Sequence, residues 1–160
     1  MVNPLNSKQV YSYFGYLIGT LPPAAIAMKL SFNPEPMAGL FTILIATAGI
    51  ITGLVGYATG KYIPAAISSV KNFRLPNRIA LLSLIGLMWG VVAGAAGGIL
   101  IFVIGALVAA MVGGFVGAIT LPVLVALHQG FRRGDLMETR HFLPIGFGIT
   151  GTLCALILGL

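Results

Sequence analysis

Between Ile79 and Leu127 the chain runs for forty-nine residues without a charged side chain, and nine of those residues are glycine. A bilayer core about 30 Å thick needs roughly 20 apolar residues per helix. The run is therefore long enough for two crossings and a turn. Its glycines carry a second message, because membrane helices associate through small residues that let backbones approach closely. Apart from a few weak hydroxyls, the run offers no group for acid–base or nucleophilic chemistry.

Composition extends this reading to the whole chain. Of 160 residues, 58% are hydrophobic and only 8% charged, with a mean hydropathy of +1.04. Soluble domains carry about 25% charged residues. A water-soluble domain is excluded, and 1–160 reads as a single all-α polytopic membrane domain. The net charge of +6 does not point to nucleic acid, because the basic residues sit in short loops between apolar runs and so set membrane orientation. The lone cysteine, Cys154, lies in the last apolar segment, where it reads as a small packing residue. The start of the chain lacks signal-peptide character, so Tyr11–Leu30 is expected to be a retained span. No lipidation motif is expected at either end.

Five apolar segments follow: Tyr11–Leu30, interrupted by Pro22-Pro23; Met37–Tyr62; two within the long run, with the turn expected at Ala93–Gly98; and Phe142–Leu160. Four spans is the alternative, with the first segment interfacial. The link Ser31–Pro36 reads as a turn. Two loops are basic: Gly60–Arg78, with Lys61, Lys71, Arg74 and Arg78, and His128–His141, with Arg132, Arg133 and Arg140 beside Asp135 and Glu138. Both should be cytoplasmic. That demands an even number of crossings between them, and puts the N-terminus inside and the C-terminus outside, as in a bacterial-type inner membrane. The stretch after Pro64, with Ile67, Val70 and Phe73 at threefold spacing, predicts a short interfacial helix.

A weak internal repeat aligns Gly53–Thr59 with Gly114–Thr120, Pro64 with Pro122, Phe73-Arg74 with Phe131-Arg132, and Leu17–Gly19 with Leu84–Gly86. It describes a two-helix unit at 11–74, a second at 79–132 in the same orientation, and a half unit at 141–160. This would be a parallel repeat.

Small-residue stripes are the strongest pattern. Gly49, Gly53, Gly56 and Gly60 share one helix face; Gly86, Gly90 and Gly94 share another; Gly105, Ala109, Gly113 and Gly117 a third; Gly151, Ala155 and Gly159 a fourth. No charged residue falls near a predicted midplane. Glycine-rich hairpin chains of this length resemble the rotor-ring proteolipids of rotary ATPases, but that family depends on a mid-helix carboxylate. Here Glu35, Asp135 and Glu138 all fall in loops, which excludes it.

Helix threonines are expected to bond to carbonyls of their own helices. His128 and His141, near the cytoplasmic boundary, could ligate a haem or chlorin metal, although solvated interfacial imidazoles are the plainer reading. The sequence requires no cofactor and no metal. Tyr11, Tyr13 and Tyr16 fit an aromatic belt, and Lys71, Arg74, Arg78, Arg132 and Arg133 suit anionic lipid headgroups. The expectation is a non-catalytic structural or accessory subunit of a larger membrane complex, respiratory or photosynthetic. Other membrane subunits and lipids would be its partners, and Gly53→Leu or Gly113→Leu should break the association. The alternative is a channel or transporter for a neutral or apolar solute.

Overall fold

The computed structural model describes residues 4–32, 38–131 and 136–160. Among these the chain is almost wholly helical. Strand β1 (Pro4–Asn6) leads into α1 (Ser7–Ser31), followed by α2 (Ala38–Gly60), the short α3 (Ile63–Ser69), α4 (Leu75–Gly98), a 3-10 turn (Ile99–Ile101), α5 (Phe102–Phe131), strand β2 (Leu136–Glu138) and α6 (Thr139–Leu158). Three helical stretches are long and apolar enough to cross a membrane: Gly39–Gly60, Leu75–Phe131 and Thr139–Leu158. The second of these comprises α4 and α5. Helix α1 is as long but not among them, since serines, prolines, Lys8 and Lys29 dilute its apolar character.

The start of α1 is locally encoded. Asn6 accepts a hydrogen bond from the Gln9 backbone N–H at 2.9 Å, and the Gln9 side chain accepts one from the Asn6 N–H at 3.0 Å. This reciprocal capping box satisfies two of the donors that a helix start leaves open. Pro22 and Pro23 do not interrupt the helix, contrary to the sequence reading; they lie inside it. Neighbouring helices let a membrane-type helix tolerate such prolines.

Helices α1 and α2 form one antiparallel hairpin, and α4 and α5 a second. Along the first, Gly15 lies on Gly56, Gly19 on Gly53 and Gly60 on Tyr11-Ser12. Along the second, Gly86 lies on Gly117, Gly90 on Gly113, Gly94 on Ala109 and Gly98 on Gly105. The hairpins meet where α2 packs on α4, and α6 lies mainly against α1. The turn of the second hairpin falls at Ile99–Phe102 rather than at Ala93–Gly98. The expected turn glycines are instead helical contact points, Gly97 against Thr52 and Gly98 against Gly105. A helix keeps its backbone hydrogen bonds internal, which apolar surroundings demand. Phe102 takes φ 63° at the reversal.

The buried core gathers at one end of the bundle: Val10, Tyr11, Phe14, Leu82, Leu121, Leu124, Val125, Met137 and Phe142. There β1 pairs antiparallel with β2, Leu5 opposite Met137, and α3 begins with buried Ile63 and stops before buried Val70. The expected helix after Pro64 is thus present but shorter, with Phe73 beyond its end and half exposed. Lys8, Lys61, Lys71, Arg74, Arg78 and Arg140 belong to the segments meeting at this end. At the opposite end Lys29 Nζ donates to the Ile157 carbonyl at 2.8 Å, closing α6 onto the last turn of α1. Helix α5 leaves Val103, Ile104, Leu107, Met111 and Phe115 widely exposed, a surface that suits lipid rather than water.

Candidate functional site

The two hairpins converge on a crevice of about 60 Å³ lined by Gly15, Ile18, Gly19, Thr52, Gly56, Trp89, Gly90, Gly117 and Thr120, among others. Backbone chemistry shapes it. A β-carbon on Gly86 would overlap the Gly117 carbonyl, and one on Gly90 the Gly113 carbonyl. Across the first hairpin, a β-carbon on Gly56 would lie 2.6 Å from the Gly15 carbonyl oxygen. Each obstacle is main chain, which cannot rotate away. Such approaches bring Cα–H groups against carbonyl oxygens, a weak but repeated attraction.

Polar groups at the crevice are few and specific. Thr52 and Thr120 donate to the Ala48 and Val116 carbonyls of their own helices, at 2.9 and 2.8 Å. Thr59 does the same to Val55 at 2.6 Å, and also accepts from Trp89 Nε1–H at 2.8 Å. This bond ties α2 to α4 and therefore one hairpin to the other. Pro22 and Pro23 have no N–H to offer, so the Ile18 and Gly19 carbonyls lack their usual helical donors. Both of those residues line the crevice. A water needs about 10–15 Å³ of such space and two to four polar partners. The crevice therefore has room for a few waters.

The sequence-derived residues divide clearly. Gly49, Gly53, Gly56 and Gly60 all face α1, with a β-carbon on Gly49 falling 2.7 Å from Pro23 Cβ. Gly86, Gly90, Gly94, Gly105, Gly113 and Gly117 lie within the second hairpin. Among the described residues, nothing lies within 4 Å of a β-carbon placed on Gly151 or on Gly148. Sequence reading missed Gly15 and Gly19, although their fourfold spacing was the available signal. It also missed Gly146, whose β-carbon would lie 3.1 Å from Leu17 Cδ1. The contacts set Gly15 equivalent to Gly86 and Gly19 to Gly90, since Gly15 opposes Gly56 as Gly86 opposes Gly117. The sequence alignment of Gly19 with Gly86 is thus one helical turn out of register with the contacts.

His128 is not solvated. It is 3% exposed, shares a 3.2 Å hydrogen bond with the Tyr11 hydroxyl through Nδ1, and meets that ring edge-on at 5.4 Å. Tyr11 is likewise a core residue rather than part of an aromatic belt, because the imidazole gives its hydroxyl a buried partner. Tyr13 and Tyr16 remain 42% exposed. His141 is half-buried against the Phe131 ring at 5.5 Å, and its Nδ1 has no hydrogen-bond partner among the described residues. The two imidazoles occupy separate contacts, and the described residues contain no cluster of three His, Cys, Asp or Glu side chains. Lys71 and Arg74 are exposed, and Arg78 is half-buried with its Nε enclosed. Arg132, Arg133, Asp135 and most of the expected link Ser31–Pro36, Glu35 included, lie outside the described residues. No protein-family model matches this chain, and neither does any curated protein or solved structure.

Proposed function

We propose that this chain is a non-catalytic structural subunit of a larger integral membrane assembly. It crosses the bilayer five times, its N-terminus on the basic, cytoplasmic side. The duplicated hairpins form a rigid unit, and α6 is the element offered to a partner subunit. One observation carries the reading: a β-carbon on Gly148 or Gly151, in the middle of α6, would meet no other element within 4 Å among the described residues. A glycine inside a helix costs about 1 kcal/mol relative to alanine. Elsewhere in the helix interiors that cost is matched by a close approach to a neighbouring element. On α6 it has no match among the described residues, which is what a face reserved for another helix would require.

Gly53 and Gly113 are committed to their own hairpins, against Thr20 and Gly90, so leucine there would disrupt the fold itself. Gly148→Leu and Gly151→Leu should instead release co-purifying subunits in mild detergent while the isolated chain keeps its stability. A wild-type chain that purifies alone and monomeric from its native membrane would refute the proposal. The second reading, a path for a small neutral solute, is favoured only by the crevice with its Thr52, Thr120 and proline-released carbonyls. Flux through proteoliposomes of the pure protein would support it.

A further inference from the structure

The two hairpins do not reach equally far at the end opposite the ribbon. A β-carbon on Gly97 of α4 would lie 2.5 Å from the Ala48 carbonyl oxygen of α2, which sets these two residues level. Gly49, the next residue of α2, lies on Pro23 of α1 in the same way. From Pro23, α1 runs on to Ser31 for about 12 Å, and from Ala48, α2 reaches back to Ala38 over about 15 Å, at the helical rise per residue. Past Gly97 the second hairpin has only Gly98 and the 3-10 turn Ile99–Ile101, which add about 8 Å at most. Its reversal therefore stops about 4–7 Å short of the ends of the first hairpin. In keeping with this, Leu40, Phe41 and Ile43 at the start of α2 are exposed, and a β-carbon on Gly39 would meet nothing within 4 Å among the described residues.

Composition at the two reversals agrees with this difference in reach. The first hairpin carries Lys29 and Ser31 where α1 ends, with Asn33 and Glu35 following in the sequence. Lys29 also reaches the Ile157 carbonyl near the close of α6. These groups mark a polar level. Between Ser83 and Thr120, by contrast, Trp89 bears the only side-chain nitrogen or oxygen. Ile99, Phe102, Val103 and Ile104 are widely exposed at the second reversal. The polar zone of a bilayer is about 5–8 Å deep on each side, so a turn recessed by that much sits at its inner edge, where acyl chains begin. The backbone suits such a level. The 3-10 turn passes into α5 without an irregular stretch, so the opening N–H groups of α5 are the main donors left to be met.

We propose that the α4–α5 reversal is a lipid-covered surface rather than a loop in water. It is held just beneath the headgroups of the leaflet opposite the ribbon. Acyl chains of that leaflet cover Ile99, Phe102, Val103 and Ile104, and the glycerol-ester carbonyls at the same depth accept the first N–H groups of α5. Both ends of the hairpin stay on the basic side. The inference rests on the membrane location and not on the subunit role, so the two can fail separately. The test uses the full chain, pure, in phosphatidylcholine vesicles, with Cys154→Ala as background. Single cysteines Phe102→Cys and Ile104→Cys are compared with Phe32→Cys, an 83% exposed position at the end of α1. A charged, membrane-impermeant maleimide is admitted to both faces by freezing and thawing. Phe32→Cys should label readily. The two tip cysteines should label at least about tenfold more slowly, since an apolar setting suppresses the thiolate, and should match Phe32→Cys once unfolded in dodecyl sulfate. An unchanged Trp89 emission would verify the fold of each variant. In a Trp89→Phe background, Phe102→Trp should be quenched more by lipid brominated near the ester end of its chains than by lipid brominated near the methyl end. Tip cysteines as reactive as Phe32→Cys in these vesicles would overturn the proposal. Protection confined to native membranes would assign the tip to a partner protein and overturn it. Protection in vesicles without bromine quenching would assign it to a second copy of the chain, with the same result.

Discussion

Replacing Gly90 with alanine adds a single carbon at the tightest point of the second hairpin. That carbon would overlap the Gly113 carbonyl oxygen, lie 2.5 Å from its carbon and 3.0 Å from the Gly114 nitrogen. All three are backbone, so α4 and α5 must part. A radial gap of 0.5–1 Å forfeits about a quarter to a half of each dispersion contact. The loss is shared by the neighbouring approaches at Gly86, Gly94 and Gly98. Overpacking of this kind costs about 1–3 kcal/mol, and the rigid obstacle puts Gly90 at the upper end. Alanine's better helix propensity returns about 1 kcal/mol. The expected net loss is about 2 kcal/mol, measured by unfolding in mixed micelles with increasing dodecyl sulfate. Trp89, the one tryptophan of the chain, is the adjacent residue and gives a local fluorescence signal. Gly151→Ala is the matched control: its β-carbon meets nothing within 4 Å among the described residues, so propensity alone should leave the isolated protein equally or slightly more stable. If Gly90→Ala were as stable as wild type, or if the two variants could not be told apart, backbone-to-backbone packing would not be what holds the hairpin.

Two further outcomes follow from single contacts. Thr59→Val removes the acceptor for the Trp89 indole N–H and should cost about 0.6–1.7 kcal/mol, the range for side-chain hydrogen bonds between membrane helices; an unchanged Trp89 emission maximum would show that the bond is not made. Phe102 holds φ 63° and ψ −179° while 84% exposed, a conformation that essentially only glycine adopts freely. Phe102→Gly should therefore raise stability by about 1–3 kcal/mol, and a lower unfolding midpoint would contradict the strain.

Much of the architecture could be read from residue spacing. The fourfold and threefold glycine spacings on α2, α4 and α5 identify the faces that meet, because helical periodicity brings those positions to one side. Gly15 and Gly19 carried the same signal in a segment whose tyrosines and prolines drew the reading elsewhere. The turn was misplaced because glycine density suits a reversal and a close helix crossing equally well, and only the partner distinguishes them. The Tyr11–His128 and Trp89–Thr59 pairs had no signal in the sequence. Each joins residues far apart along the chain, and their meeting depends on how the hairpins dock. The open face of α6 was visible as a stripe, but that Gly151 has no partner among the described residues emerges only from the packing.

The ribbon at the basic end has a consequence for how the molecule is assembled. Each hairpin can close as soon as its own second helix has been made, since its contacts are local in the chain. Pro4, however, pairs with Glu138, so the first described strand waits for a segment made only after α5. Long-range pairings of this kind form late. Helix α1 therefore begins life bound on one flank only, and the arrival of β2 and α6 completes its other flank as the closing event of folding. Strand β1 and the start of α1 are thus secured only after the helices that follow them have packed.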